Sequence, residues 1–151
     1  MSAPGGKSKE LKIVARQVVT LDDIKKSKRM ITVLHIVKHL GEISEKGLTH
    51  LLYEMKEKGV DLGYQFVKIG KVIGSNEVHQ DILDLLYVGL MERVPGKNKL
   101  RLTSDGEEFL EKYGGIVSED ELKRILEVVD ELKSTISTIE AEAEMKGRVR
   151  W

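Results

Sequence analysis

The chain has 151 residues, of which 40% are hydrophobic and 33% charged, with no cysteine and equal numbers of Lys/Arg and Asp/Glu. That length and apolar share fit one domain with a real core plus an appendage, and argue against disorder. Without cysteine there is no disulfide framework and no thiolate zinc site, and no apolar run approaches the roughly 20 residues that span a bilayer. The first ten residues lack the apolar core of a signal peptide, so the expected compartment is cytoplasmic, with no membrane partner. Zero net charge hides a gradient. Residues 1–38 hold nine Lys/Arg against three Asp/Glu, and residues 118–146 hold four against nine. A chain polarised in this way suits a polyanion at one end and solubility at the other.

Residues 1–20 read as a basic N-terminal arm, rich in Gly, Ser and Lys at its start. Leu11 to Val19 is rich in β-branched residues and fits either an edge strand or an early helix. Asp22 and Asp23 cap a first helix that ends near Gly41. Its buried face is Met30, Ile31, Val33, Leu34, Val37 and Leu40; its polar stripe is Lys28, Thr32, His35 and His39. Ser44 caps a second helix with a core stripe of Leu48, Leu51, Leu52 and Met55. Gln65 to Ile73 reads as a short strand with a glycine break at Gly70. Ser75 caps a third helix with Val78, Ile82, Leu85 and Leu86 inward and Glu77, Gln80, Asp81 and Asp84 outward. Two short strands flank the turn Pro95-Gly96-Lys97-Asn98, and Thr103 opens a short fourth helix ending at Gly114-Gly115.

Ser118-Glu119-Asp120-Glu121 is a capping box that starts the longest helix, running to about Met145. Leu122, Ile125, Val129, Leu132, Ile136 and Ile139 recur at alternating steps of three and four, the a/d seam of a coiled coil. This seam is expected to dimerise the chain, a terminal helix after a complete small domain finding its partner most easily on a second copy. The alternative is packing on its own domain, since Leu126 and Val128 widen the apolar surface. The expected domains are thus the arm 1–20, a winged-helix domain 21–115, a coiled-coil-like helix 116–146 and a tail 147–151.

For catalysis the sequence offers no Cys nucleophile, no nucleophile elbow and no P-loop, so no enzyme activity, catalytic residue or cofactor is expected. His35 and His39 lie one turn apart without a third ligand at helical spacing, and no metal site is expected. The turn is more informative. Lys97, Lys99 and Arg101 place three cations around a Pro-Gly turn, while the alternation leaves Leu100 and Leu102 for a core. Lys25, Lys26, Lys28 and Arg29 form a second basic cluster. Both suit phosphate contacts, which give salt-dependent affinity for any sequence.

The run Tyr87-Val88-Gly89-Leu90-Met91-Glu92-Arg93, followed by Leu100 to Leu110 (LRLTSDGEEFL), resembles the tail of many prokaryotic winged-helix regulators, archaeal ones included. Leu51 to Met55 with Leu62 to Phe66 and Gly89 to Glu92 is similar to small winged-helix proteins of the YwgA-like type. The resemblance covers about residues 28–112. It implies an α+β, mainly α, winged-helix fold and is unspecific for role; double-stranded DNA is the partner expected from the two basic clusters. Two features depart from the resemblance. Seventeen residues, Gly59 to Ser75, separate the second and third helices where such readers have three or four. The third helix also carries three acids on its expected outer face, which repel phosphates and suit few base edges. The expected function is a homodimeric winged-helix DNA-binding protein, a transcriptional regulator or chromatin-associated factor touching DNA through the two basic clusters. The alternative is a protein-interaction adapter whose acidic helices dock a basic partner.

Overall fold

The computed structural model describes residues 19–70 and 72–148, with side chains through residue 141. The basic arm lies almost wholly outside these residues, as do residues 149–151 of the tail. The fold is mainly helical with two small antiparallel sheets. Thr20 and Asp23 form a reciprocal capping box around α1 (Leu21–Lys25). The single helix expected from Asp22 to Gly41 is therefore two. Ser27 breaks it: its hydroxyl accepts from the Met30 N–H at 3.1 Å and caps α2 (Lys28–Leu40). Thr32, placed on the polar stripe by its chemistry, is buried, and its hydroxyl donates to the Lys28 carbonyl one turn back at 2.7 Å.

Ile43 then exchanges both backbone hydrogen bonds with Leu100, at 2.7 and 3.0 Å. The chain continues into α3 (Glu45–Glu57), capped by Ser44. The expected single strand over 65–73 is a hairpin, β1 (Val67–Ile69) paired with β2 (Val72–Gly74). Gly70 turns it, with φ +62 where L side chains are strained. Next come α4 (Asn76–Tyr87), a second hairpin of β3 (Met91–Arg93) and β4 (Leu100–Leu102), and α5 (Ser104–Tyr113). Gly106 is required where α5 crosses the chain. A Cβ there would lie 2.1 Å from the Leu90 carbonyl oxygen. After a 3-10 turn (Gly114–Ile116), the thirty-residue α6 (Glu119–Arg148) runs across the domain.

The core gathers Ile31, Leu34 and Val37 of α2, Leu48, Leu51 and Met55 of α3, Ile82 and Leu85 of α4, and Leu100 of β4. The seam of α6 completes it. Ile125, Val129, Leu132 and Ile136 are each 5% exposed or less within their own chain, and Leu122 and Ile139 pack partly against the same core. The seam expected to meet a second copy is therefore taken up by its own domain. Ion pairs fix the direction of the packing. Lys28 meets Glu121 at 2.7 Å and His39 meets Asp130 at 2.8 Å, so α6 runs parallel to α2. Lys58, after the end of α3, meets Glu131 at 3.6 Å, while Ser44, before its start, meets Glu140, so α6 runs antiparallel to α3. The reason is geometric: α2 and α3 leave an apolar cleft that only a long helix can cover, and the chain supplies one directly after the 3-10 turn. Residues on both sides of the boundary expected near residue 115 thus share one core cluster.

Candidate nucleic-acid interface

Most of the cations singled out in the sequence are held by carboxylates. Lys25 pairs with Asp22 at 3.2 Å and lies 4.6 Å from the centre of the Tyr113 ring. Lys28 is paired with Glu121 and holds that carboxyl below its usual range. In the β3–β4 hairpin, Lys97 reaches Glu42 at 3.5 Å and Arg101 reaches Glu92, its cross-strand neighbour, at 2.7 Å. Lys99 lies 3.9 Å from Glu140 of α6. Glu140 also accepts from the Ser44 N–H at 2.9 Å and from the Ser44 hydroxyl, so its carboxylate sits on the positive end of α3. Gly47 makes room for it, since a Cβ at that position would meet Glu140 Oε2 at 2.0 Å. The three cations of the turn, expected to suit phosphate contacts, thus each lie beside a carboxylate of their own chain. Of the three, Lys99 is the most buried, its side chain 17% exposed beside Glu140. Lys26 alone of the seven is exposed with no carboxylate partner among the described residues.

Arg29 has a different fate. Its guanidinium donates to both oxygens of Asp81, at 2.9 and 3.1 Å, and stacks over Tyr64 at 4.4 Å. The Tyr64 hydroxyl donates to the same carboxylate at 2.6 Å. Asp81 is 6% exposed, not outward as its charge suggested. Helical spacing carried the better signal: Asp81 stands three residues after Val78 and four before Leu85, on the inward stripe. This triad clamps α2, the 60–66 segment and α4 together. Burial, and then the Asp81 charge, push the Tyr64 hydroxyl well above the ordinary tyrosine range. The sign follows. This contribution is complete below pH ~10 and is lost as pH rises further, because the unfolded chain gives up the Tyr64 proton while the folded one keeps it. Tyr64→Phe is expected to make the decline of unfolding free energy above pH 10 shallower by up to about 1.4 kcal/mol per pH unit, read from urea melts at stepped pH.

With Asp81 inside, the outer face of α4 changes character. Glu77 is half-buried and accepts from the Gln65 N–H at 2.6 Å, and Asp84 accepts from Gln80 at 2.9 Å. What α4 shows to solvent is Asn76, His79, Gln80, Leu83 and Tyr87. His79 is turned towards Glu45 at 2.6 Å. Asn76, Gln80, Leu83 and Tyr87 follow one another at steps of four, three and four, a single uncharged stripe about 16 Å long. Exposed cations flank this helix in the sequence. Lys68 is on the β1–β2 hairpin before the helix and Arg93 is on β3 after it; neither has a carboxylate partner among the described residues. Sequence reasoning passed over both, because each is a lone cation outside a basic run.

Among the described residues no three His, Asp or Glu side chains converge on a metal-sized site, and no helix is long and apolar enough to cross a membrane. Comparison with protein-family models, with curated proteins and with solved structures finds no match for this chain.

Proposed function

We propose that this chain is a winged-helix protein that binds double-stranded DNA, with the outer stripe of α4 reading base edges and isolated cations around it touching phosphates. Apart from the β1–β2 hairpin inserted between α3 and α4, the order α2, the Ile43 bridge, α3, α4, β3 and β4 is that of a winged helix, and supports that fold. The observation that carries the reading is the uncharged α4 stripe. Asn and Gln side chains match the donor and acceptor of adenine in the major groove, Leu83 matches a thymine methyl, and the Tyr87 hydroxyl suits a phosphate. A role in transcription or chromatin follows from such binding. A dimer, on this reading, uses a surface other than the α6 seam.

The test is a salt titration of duplex binding with the full chain. Arg93→Ala and Lys26→Ala are each expected to lower affinity for all sequences and to reduce the slope of log affinity against log salt by about 0.9. Gln80→Ala is expected to leave the slope unchanged and to relax base preference at one position. If wild-type chain shows no salt-dependent binding, the reading fails. A protein-interaction adapter then replaces it, which the internal pairing of Lys97, Lys99 and Arg101 favours.

A further inference from the structure

The β1–β2 hairpin has an apolar face turned to water. Val67, Ile69 and Val72 are 62, 72 and 60% exposed, and the register aligns them. Ile69 faces Val72 across the hairpin and Val67 faces Gly74, so all four lie on one side. Lys68 alternates to the other side, 5.8 Å from the centre of the Tyr53 ring of α3. The exposed side borders a shallow depression of about 190 Å³ shared with Ser75 and Asn76. Asn76 begins the α4 stripe, so hairpin and helix present one continuous surface.

We infer that this hairpin face extends the reading surface along the major groove and packs on the 5-methyl groups of thymine. The inference rests on the DNA-binding reading above. Three observations select this occupant. From Gln65 to Ser75 the sequence has no acid, so no carboxylate of the hairpin opposes a polyanion on this face. Its apolar area is three β-branched side chains, on the order of 300 Å², well short of the roughly 800 Å² per partner that a stable protein interface buries. Duplex DNA does not need that area, since phosphate contacts supply most of the affinity and base contacts the preference. A two-stranded ribbon fits the major groove, where the thymine methyl is the one apolar group on a base edge. β-Branched side chains suit it because they are held in few rotamers and lose little freedom on contact.

Thymine and uracil differ only by that methyl, which gives a direct test. The full chain is used to select duplexes from a randomised pool, and the enriched duplex is remade with uracil in place of thymine. Affinity is expected to fall about fourfold for each buried methyl, with the salt slope unchanged. The triple variant Val67→Ser, Ile69→Ser, Val72→Ser changes only exposed side chains. It is expected to stay folded by circular dichroism and to show a smaller thymine-over-uracil preference, by about fourfold for each methyl the hairpin buries, keeping only the share that Leu83 contributes. Equal affinity of the wild-type chain for thymine and uracil duplexes overturns the inference and leaves DNA binding standing. Discrimination that is undiminished in the triple variant places every methyl contact elsewhere, Leu83 first, and also overturns it. If sedimentation shows that the triple variant turns a dimer into a monomer, the face is a contact between copies instead. Absence of salt-dependent binding and of any enriched duplex overturns both readings together.

Discussion

Ending the chain at Gly115 is expected to abolish folding rather than release a stable monomer. Ile125, Val129, Leu132 and Ile136 are almost completely buried, and full burial of such a side chain contributes about 1.5–3 kcal/mol. Four of them give roughly 6–12 kcal/mol, which spans most of the 5–15 kcal/mol that stabilises an ordinary domain. The facing surface also loses its cover. Ile43 and Leu51, nearly inaccessible in the full chain, line the groove beneath Val129 and Ile136. The capping of α3 by Glu140 goes as well. The truncated chain should therefore lack a cooperative thermal transition and bind a dye for exposed apolar surface. A sharp two-state melt from residues 1–115 would show that α6 is an appendage after all. A milder version is Leu132→Lys, which places an unpaired charge in the cleft. It is expected to lower the stability of a single chain by about 3–5 kcal/mol, whereas an intermolecular seam would show a concentration-dependent loss.

Asp81→Ala is expected to destabilise the protein by roughly 1–3 kcal/mol, the cost of leaving buried polar groups without their acceptor, since the Arg29 side chain is 34% exposed and partly screened by water. It strands the Arg29 guanidinium, which makes its two hydrogen bonds there, and the Tyr64 hydroxyl, which is 1% exposed. Burial works against the Arg29 charge, and the Asp81 carboxylate more than offsets that, so leaving the cation alone is the worst case. The double variant Arg29→Met with Asp81→Leu removes both charges. It is expected to recover much of the loss, because well-packed apolar replacements of a buried pair are often neutral. Asp84→Asn, on the outer side of the same helix, should change stability by less than about 0.5 kcal/mol. Denaturant melts of the four chains decide the matter. Equal stability of Asp81→Ala and Asp84→Asn would mean that Asp81 is no more engaged than a surface acid.

Apart from the break at Ser27, the helices were legible in the sequence because their signals are local. Ser44, Ser75, Thr103 and Ser118 each cap the helix that their spacing announced, and the apolar steps after them point inward as expected. The two strands around Pro95-Gly96 pair as the alternation required. The β1–β2 hairpin was only half visible. Gly70 marked a break, but three-residue strands are too short for period-2 alternation to show where one ends and its partner begins.

The seam of α6 and the site residues were the harder part, and for one physical reason. Leu122 to Ile139 is apolar at a/d spacing, and that pattern states that the stripe must be covered, not by what. Coverage is decided by the cleft between α2 and α3, which exists only once residues far apart in the chain have packed. The same holds for charge. Arg29 and Asp81 stand 52 positions apart, Lys99 and Glu140 41, and neither partner is marked in its own neighbourhood. The sequence by itself determined the helices from α3 onwards, their caps, most of their apolar inward positions and the presence of two basic clusters. Only the tertiary structure decided which of those cations remain available to a ligand. A charge is neutralised by whatever carboxylate the fold brings within about 4 Å, and that distance is a property of packing, not of sequence spacing.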